Sequence, residues 1–310
     1  MINSYLLLVR RLPGRFLFAF QFLTIIPLPG RLSAGLELNE GEMSKSSAMF
    51  PLVGGALGIV LAIFWVVMQA FLPQGVAAVL TVAVLAALSG GLHLDGLSDT
   101  IDAIAARKSI EQKIAIMKSG TAGPIGTAAV ALLLLAKFQL LANLPSTGLL
   151  RDLSGGLFSG QLSGPFNTIA TMVFAIATFP VMGRCAGVYA MFAGNSIKRE
   201  GLGKIFIDNV KLKDLAIAST AAVAVMAVIV LAIAVADMWL PFGASPEEAA
   251  AVALGMVRYV LALPALYAFT HFAVRFFRKH LGGLNGDILG AIIEVNEIAY
   301  LLILSARWKL

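Results

Sequence analysis

Runs of about 20 consecutive apolar residues recur along this chain and constrain its fold more than any other feature. They lie at about 47–72, 75–94, 123–144, 167–193, 215–240, 251–273 and 288–305. A helix needs about 20 apolar residues to cross the hydrocarbon core of a bilayer. Backbone at that depth must also satisfy its hydrogen bonds within the segment. The seven runs therefore predict an all-α, polytopic integral membrane protein with about seven transmembrane helices. Breaks such as Pro73-Gln74 and the Gly/Ser-rich stretch 145–166 separate the runs without marking a repeat or a linker. Residues 1–310 form one membrane-embedded domain by this reading. Composition agrees, since only 13% of residues are charged, about half the share found in soluble domains.

The N-terminus has the outline of a secretory signal, with Arg10, Arg11 and Arg15 ahead of the apolar run Phe16 to Leu28. No small-residue cleavage site follows; Pro27-Leu28-Pro29-Gly30-Arg31 does. The run is short for a span, so the expectation is a short interfacial or partly inserted N-terminal helix.

A formal net charge of +6 raises the question of nucleic acid. The distribution of charge points to a membrane instead. Segments 1–46, 95–122, 194–214 and 274–287 hold 17 of the 23 Lys and Arg residues, and with seven spans they share one face. Basic residues collect in cytoplasmic loops, which places that face in the cytoplasm and the protein in the cytoplasmic (inner) cell membrane. Arg307 and Lys309 fall on the opposite side and argue against the last crossing. No nucleic-acid partner is expected. Cys185, the sole cysteine, lies in an apolar stretch and reads as a buried, inert thiol.

Polar residues cluster within the basic face. In Gly90-Gly91-Leu92-His93-Leu94-Asp95-Gly96-Leu97-Ser98-Asp99-Thr100-Ile101-Asp102, the three aspartates are spaced i, i+4, i+7. On a helix they project from one face. Converging carboxylates repel unless a cation neutralises them, and a set of hard oxygens suits Mg²⁺ or Mn²⁺. The alternative is a solvated helix end with Asp95 or Asp99 as a cap. His93 is either functional or a satisfied interfacial histidine.

A second cluster, Gly282-Gly283-Leu284-Asn285-Gly286-Asp287, runs into an apolar helix carrying Glu294 and Glu297. Glycines ahead of a helix present free N–H groups to an anion. Ionisable residues at membrane depth mark function by default; structural hydrogen bonding to other helices is the alternative. Arg184 inside the fourth span is suited to a phosphate or carboxylate, or pairs with Glu294 or Asp237. Lys198-Arg199-Glu200-Gly201-Leu202-Gly203 is a basic, glycine-bearing loop. Met117-Lys118-Ser119-Gly120 either holds Lys118 against an anion or is a plain junction. Carboxylates for Mg²⁺ and basic or glycine-rich loops for phosphates, gathered on one face, suit displacement at phosphorus. The residues by themselves name no substrate.

These motifs resemble the cobalamin synthase family (adenosylcobinamide-GDP ribazoletransferase). The resemblance rests on Phe22-Leu23-Thr24-Ile25-Ile26-Pro27-Leu28-Pro29, Phe50-Pro51-Leu52-Val53-Gly54 and the His93 to Asp102 signature. Met117-Lys118, Gly183-Arg184, Gly201-Leu202-Gly203, and Gly283 to Asp287 with Glu294 and Glu297 follow in the family's order. Two positions depart: Ala103 stands where the family commonly has Gly, and Ser119-Gly120 where it commonly has Asp-Ser.

The resemblance implies a Mg²⁺-dependent transfer. A ribose hydroxyl of α-ribazole, or of α-ribazole 5′-phosphate, attacks the cobinamide-linked phosphate of adenosylcobinamide-GDP. GMP leaves, and adenosylcobalamin or its 5′-phosphate forms. Asp95, Asp99, Asp102 and Glu294 are then the expected catalytic residues, the three aspartates holding the metal. His93, Lys118, Arg184, Arg199, Gly283, Asn285, Gly286, Asp287 and Glu297 are the expected substrate and phosphate contacts. Partners are the two substrates and the bilayer, with room for a homo-oligomer or for association with other corrinoid-pathway enzymes.

Two other readings compete. A CDP-alcohol phosphotransferase also opens its motif with Asp-Gly, but it requires Ala-Arg soon afterwards, and Leu97-Ser98 stands after Gly96. A secondary transporter would use intramembrane Lys137, Arg184, Glu294 and Glu297, but repeat symmetry is missing.

Overall fold

The computed structural model describes residues 2–29, 39–144, 165–197, 201–239 and 246–306. These form α1 (Ile2–Leu23), α2 (Glu40–Ser46), α3 (Phe50–Gln69), α4 (Gln74–Leu88), α5 (Leu92–Ala105) and α6 (Ile110–Met117). There follow α7 (Pro124–Ala142), α8 (Pro165–Ala193), α9 (Leu202–Asn209), α10 (Leu212–Trp239), α11 (Pro246–Leu281) and α12 (Gly286–Ser305). A 3₁₀ turn, Ser47–Met49, joins α2 to α3. No strand occurs among the described residues, only an isolated backbone bridge between Ser196 and Leu284. The all-α expectation holds.

Local chemistry explains several helix starts. Pro51 and Pro124 stand in the first turns of α3 and α7, where proline's missing N–H costs nothing. A capping box between Ser109 and Gln112 opens α6.

Among the described residues, five helices are long and apolar enough to span: Glu40–Gln69, Pro124–Ala142, Ala170–Ala193, Leu212–Ile233 and Gly286–Ser305. The expected span at 75–94 is corrected. The helix stops at Leu88, and α5 leaves α4 at 89°. Gly90 (φ 61°) and Gly91 (φ 67°) make the turn in the left-handed region that side chains with a Cβ avoid. Counted as one broken crossing, the α4–α5 pair brings the total to six. The apolar run at 251–273 lies within the 36-residue α11. The N-terminal helix is longer than expected, but its apolar part, Leu12–Leu23, is too short to span.

α8 is the central post, with 94% of its apolar window buried. α3 packs on it through glycines: a Cβ on Gly58 would stand 1.9 Å from the Ala177 carbonyl oxygen. Small residues allow this close approach, which substitutes for a hydrophobic driving force between helices in lipid. α7 and α10 lie outside, with only 17% and 28% of their windows buried. Leu132, Leu135, Val228 and Leu231 on those helices are exposed, as lipid-facing positions must be. Arg15 of α1 is buried, with its Nε 2.8 Å from a Glu42 oxygen that ties α1 to α2.

Candidate active site

Two glycines bring α5 and α12 into backbone contact. A Cβ on Gly96 would stand 2.6 Å from the Asp287 carbonyl oxygen, and one on Gly290 would stand 3.1 Å from the His93 Cα. This close approach carries Asp95 and Asp99 to the side of Asp287. Asp95 is exposed; Asp99 and Asp287 are half-buried. Around Asp99 the charged neighbours are Asp95, Asp287 and Asp102, all of its own sign. Such a group is stable only with a proton or a cation among its members. Asn285 builds the start of α12. Its Oδ1 accepts from the Ile288 N–H at 3.0 Å, and its Nδ2 donates to Asp287 Oδ2 at 2.7 Å.

The spacing of Asp95, Asp99 and Asp102 places them on a helix as expected, but Asp102 has a task of its own. Its Oδ2 accepts from the Gly123 N–H at 2.7 Å and its Oδ1 from the Gly126 N–H at 2.8 Å. The carboxylate thus caps α7, offsetting the orphan donors and dipole of that N-terminus. Among the described residues no group of three or more His, Cys, Asp or Glu side chains closes into a metal cage. Mg²⁺ at phosphoryl-transfer sites takes one or two carboxylates, with phosphates and water completing the shell. Asp95 and Asp99 fit that smaller requirement: their oxygens are hard, and no ion pair among the described residues neutralises them.

Below this open acidic group lies a sealed ionic layer. Lys137 Nζ of α7 is 2.5 Å from Glu294 Oε2 and 2.6 Å from Glu297 Oε2, both on α12. Arg184 of α8 bonds the other oxygen of Glu297. Two cations face two carboxylates, so the layer is neutral, and each side chain is at most 6% exposed. Glu294, Glu297 and Arg184, expected in catalytic or substrate-binding roles, are here bonded to one another or to Lys137. Sequence reasoning left Lys137 out of the site, although a lysine in the middle of an apolar run was the available signal. His93 is 3% exposed and lies near both Arg184 and Lys137.

The remaining site residues are dispersed. Lys118 is exposed at the end of α6. Gly283 packs on the Asn195 carbonyl, and Gly203 on the backbone N of Gly286, so two glycine motifs meet at the start of α12. Arg199 lies outside the described residues.

Two cavities flank α5. One, of about 690 Å³, lies between α5, the Ser89-Gly90-Gly91 turn, the end of α1 and the start of α7, with Asp95 in its wall. The other, of about 500 Å³, lies on the Asp102 side and is lined by Lys108, Gln112 and Ser119.

Membrane-length apolar helices with Asp95 in the wall of one cavity and Asp102 in the wall of another are the make-up of a membrane-embedded enzyme. Its family is shown by comparison: the family model described as cobalamin-5-phosphate synthase matches residues 15–305, and the chain belongs to that family. Curated relatives named adenosylcobinamide-GDP ribazoletransferase are similar over nearly their full lengths. The one from Geotalea daltonii is 31% identical over 288 residues, covering 93% of this chain and 95% of its own. That from Fusobacterium nucleatum is 28% identical over 300 residues, with 93% and 95% covered. That from Acetivibrio thermocellus is 29% identical over 293 residues, with 93% and 96% covered. No solved structure matches.

Proposed function

We propose that this chain joins α-ribazole, or its 5′-phosphate, to adenosylcobinamide-GDP. A ribose hydroxyl attacks the cobinamide-linked phosphorus, the bond to the GMP phosphate breaks, and GMP leaves with that bridging oxygen. The product is adenosylcobalamin or its 5′-phosphate. One observation carries the reading: Asp95, in the wall of one cavity, and the half-buried Asp99 and Asp287 are charged neighbours, and a second cavity across α5 bears a lysine. Two substrates that meet at a phosphate need two neighbouring sites. The family's activity, as its relatives' names print it, has that form.

Asp95 and Asp99 are the residues that would hold Mg²⁺, which when bound neutralises charge on the diphosphate. Asp102 acts on the protein itself, fixing the start of α7 so that the α5–α7 junction keeps its shape. Asn285 does the same for α12 and orients Asp287. Lys108 offers a cation to the diphosphate side. The Lys137–Glu294–Glu297–Arg184 layer sets the register of α7, α8 and α12 beneath the carboxylates. With α11 taken as a further crossing, the segments on the side of the acidic group hold 17 of the 23 basic residues, which places that face in the cytoplasm.

The test is direct. Purified protein in detergent is mixed with adenosylcobinamide-GDP, α-ribazole and Mg²⁺, and GMP is measured. Stoichiometric GMP and corrinoid product support the transferase; unchanged substrates would refute it and restore the transporter reading.

A further inference from the structure

Helix α6 is held to the rest of the protein by little. Of its eight residues only Met117 is buried, and a helix so short is not stable by itself. Its start rests on the end of α11, where a Cβ on Gly282 would lie 3.7 Å from Ile110 Cγ2. Yet α6 forms a wall of the cavity of about 500 Å³, which Gln112, Ala115 and Ile116 line together with Asp102 and Gly123. A cavity wall with so small an anchor in the protein needs another outside it.

The contact between α6 and α11 joins two basic segments. Residues 106–118 carry Arg107, Lys108, Lys113 and Lys118, residues 275–282 carry Arg275, Arg278 and Lys279, and Glu111 is the only acidic residue in either. Lys113 is half-buried and the other six cations are exposed. None of the seven enters an ion pair among the described residues. The spans of α7 and α12 begin at Pro124 and Gly286, so the patch lies at the level where the helices leave the bilayer. Beneath it, Phe269, Phe272 and Phe276 of α11 are 42%, 70% and 44% exposed. Arg275 and Lys279 continue that face at three- and four-residue spacing. An exposed apolar stripe that ends in cations fits a molecule with acyl chains and an anionic head group.

We infer that α6 and the end of α11 form a binding surface for anionic phospholipid, and that the bound lipid fixes α6 as the wall of the cavity beside Asp102. The acyl chains lie along Phe272 and Phe276, and the head-group phosphates meet the cations of the two segments. Membrane composition thereby controls turnover, a consequence that rests on the transferase reading; the lipid surface itself does not.

The full chain is placed in nanodiscs of phosphatidylcholine alone, or of phosphatidylcholine and phosphatidylglycerol in equal parts. Amide hydrogen exchange of residues 110–117 is followed with no substrate or metal present. Exchange should be severalfold slower in the mixed discs, and the difference should shrink in high salt, which screens exposed charge. The triple variant Lys113→Gln/Arg275→Gln/Lys279→Gln should lose the response at an unchanged thermal midpoint. The charge-conserving Lys113→Arg/Arg275→Lys/Lys279→Arg should keep it. Inorganic phosphate added to neutral discs should not slow exchange. GMP release by the wild type should be severalfold faster in the mixed discs, and release by the glutamine variant should be the same in both. Equal exchange of wild-type α6 in the two kinds of disc would overturn the inference, whether or not the glutamine variant folds. So would a response reproduced by free phosphate, or one kept by the folded glutamine variant. If exchange follows the lipid but no disc yields GMP, the transferase reading fails and the lipid surface stands.

Discussion

Lys137 and Glu294 meet at 2.5 Å across the α7–α12 contact, inside a bundle whose surroundings are apolar. Lys137 also reaches Glu297, which Arg184 bonds from the opposite side. Removing one partner from such a set leaves an uncompensated charge at membrane depth. Lys137→Met should therefore destabilise the protein by about 3–5 kcal/mol, read as a lower thermal midpoint in detergent. The double variant Lys137→Met/Glu294→Gln should recover part of that loss. If the single variant melts like wild type, the layer does not hold the bundle together.

Arg184 separates two roles that look alike in the sequence. With its guanidinium bonded to Glu297 and 1% exposed, Arg184→Lys should lower folded yield and leave KM for both substrates within twofold. A specific rise in donor KM, with the thermal midpoint unchanged, would show instead that the guanidinium reaches a phosphate.

The contact between α3 and α8 tests the fold. Gly58→Leu forces a side chain into the Ala177 backbone, and overpacking costs about 1–3 kcal/mol. Thermal stability should fall while sidedness in the membrane stays the same. An unchanged midpoint would mean that α3 does not pack on α8 through this glycine.

What was legible in the sequence follows from which interactions are local. The aspartates of α5 announced themselves because helical spacing depends only on neighbouring residues. The bend before them was hidden, since the apolar run continues from Leu88 past Gly91 into Leu92 and Leu94, and hydropathy does not register a left-handed turn. The buried charges were visible as anomalies in apolar runs. Their pairing was not, because Lys137 and Glu297 are 160 positions apart. The second task of Asp102 was hidden for a related reason: it shares a face with Asp95 and Asp99, yet its partners Gly123 and Gly126 lie at the start of α7, more than 20 positions on.

Sidedness is open to chemical labelling. Cys185 is fully buried, with its Sγ 3.1 Å from the Tyr267 hydroxyl, so a Cys185→Ala background gives a silent reference. Single cysteines at exposed positions of 106–122 should react with an impermeant reagent only after the membrane is opened. Labelling from outside intact cells would reverse the orientation and move the acidic face out of the cytoplasm.

The acidic group itself should divide by role. Asp95→Asn and Asp99→Asn remove a charged ligand while keeping size and polarity. Neither residue caps a neighbouring helix, so folding should be normal. Turnover should fall by orders of magnitude, since a bound metal supplies several kcal/mol of transition-state stabilisation. Excess Mg²⁺ or Mn²⁺ should restore part of the activity if the contact is direct. Asp102→Asn belongs to another class. It weakens the acceptor for two N–H groups at the start of α7, and loss of a cap costs about 0.5–2 kcal/mol. Its thermal midpoint should drop, and added metal should not rescue its activity. Parallel titrations of the three variants, with thermal midpoints taken alongside, decide the matter. Metal rescue of Asp102→Asn at an unchanged midpoint would make Asp102 a ligand after all, whereas near-normal turnover of Asp99→Asn at low Mg²⁺ would remove Asp99 from the metal site.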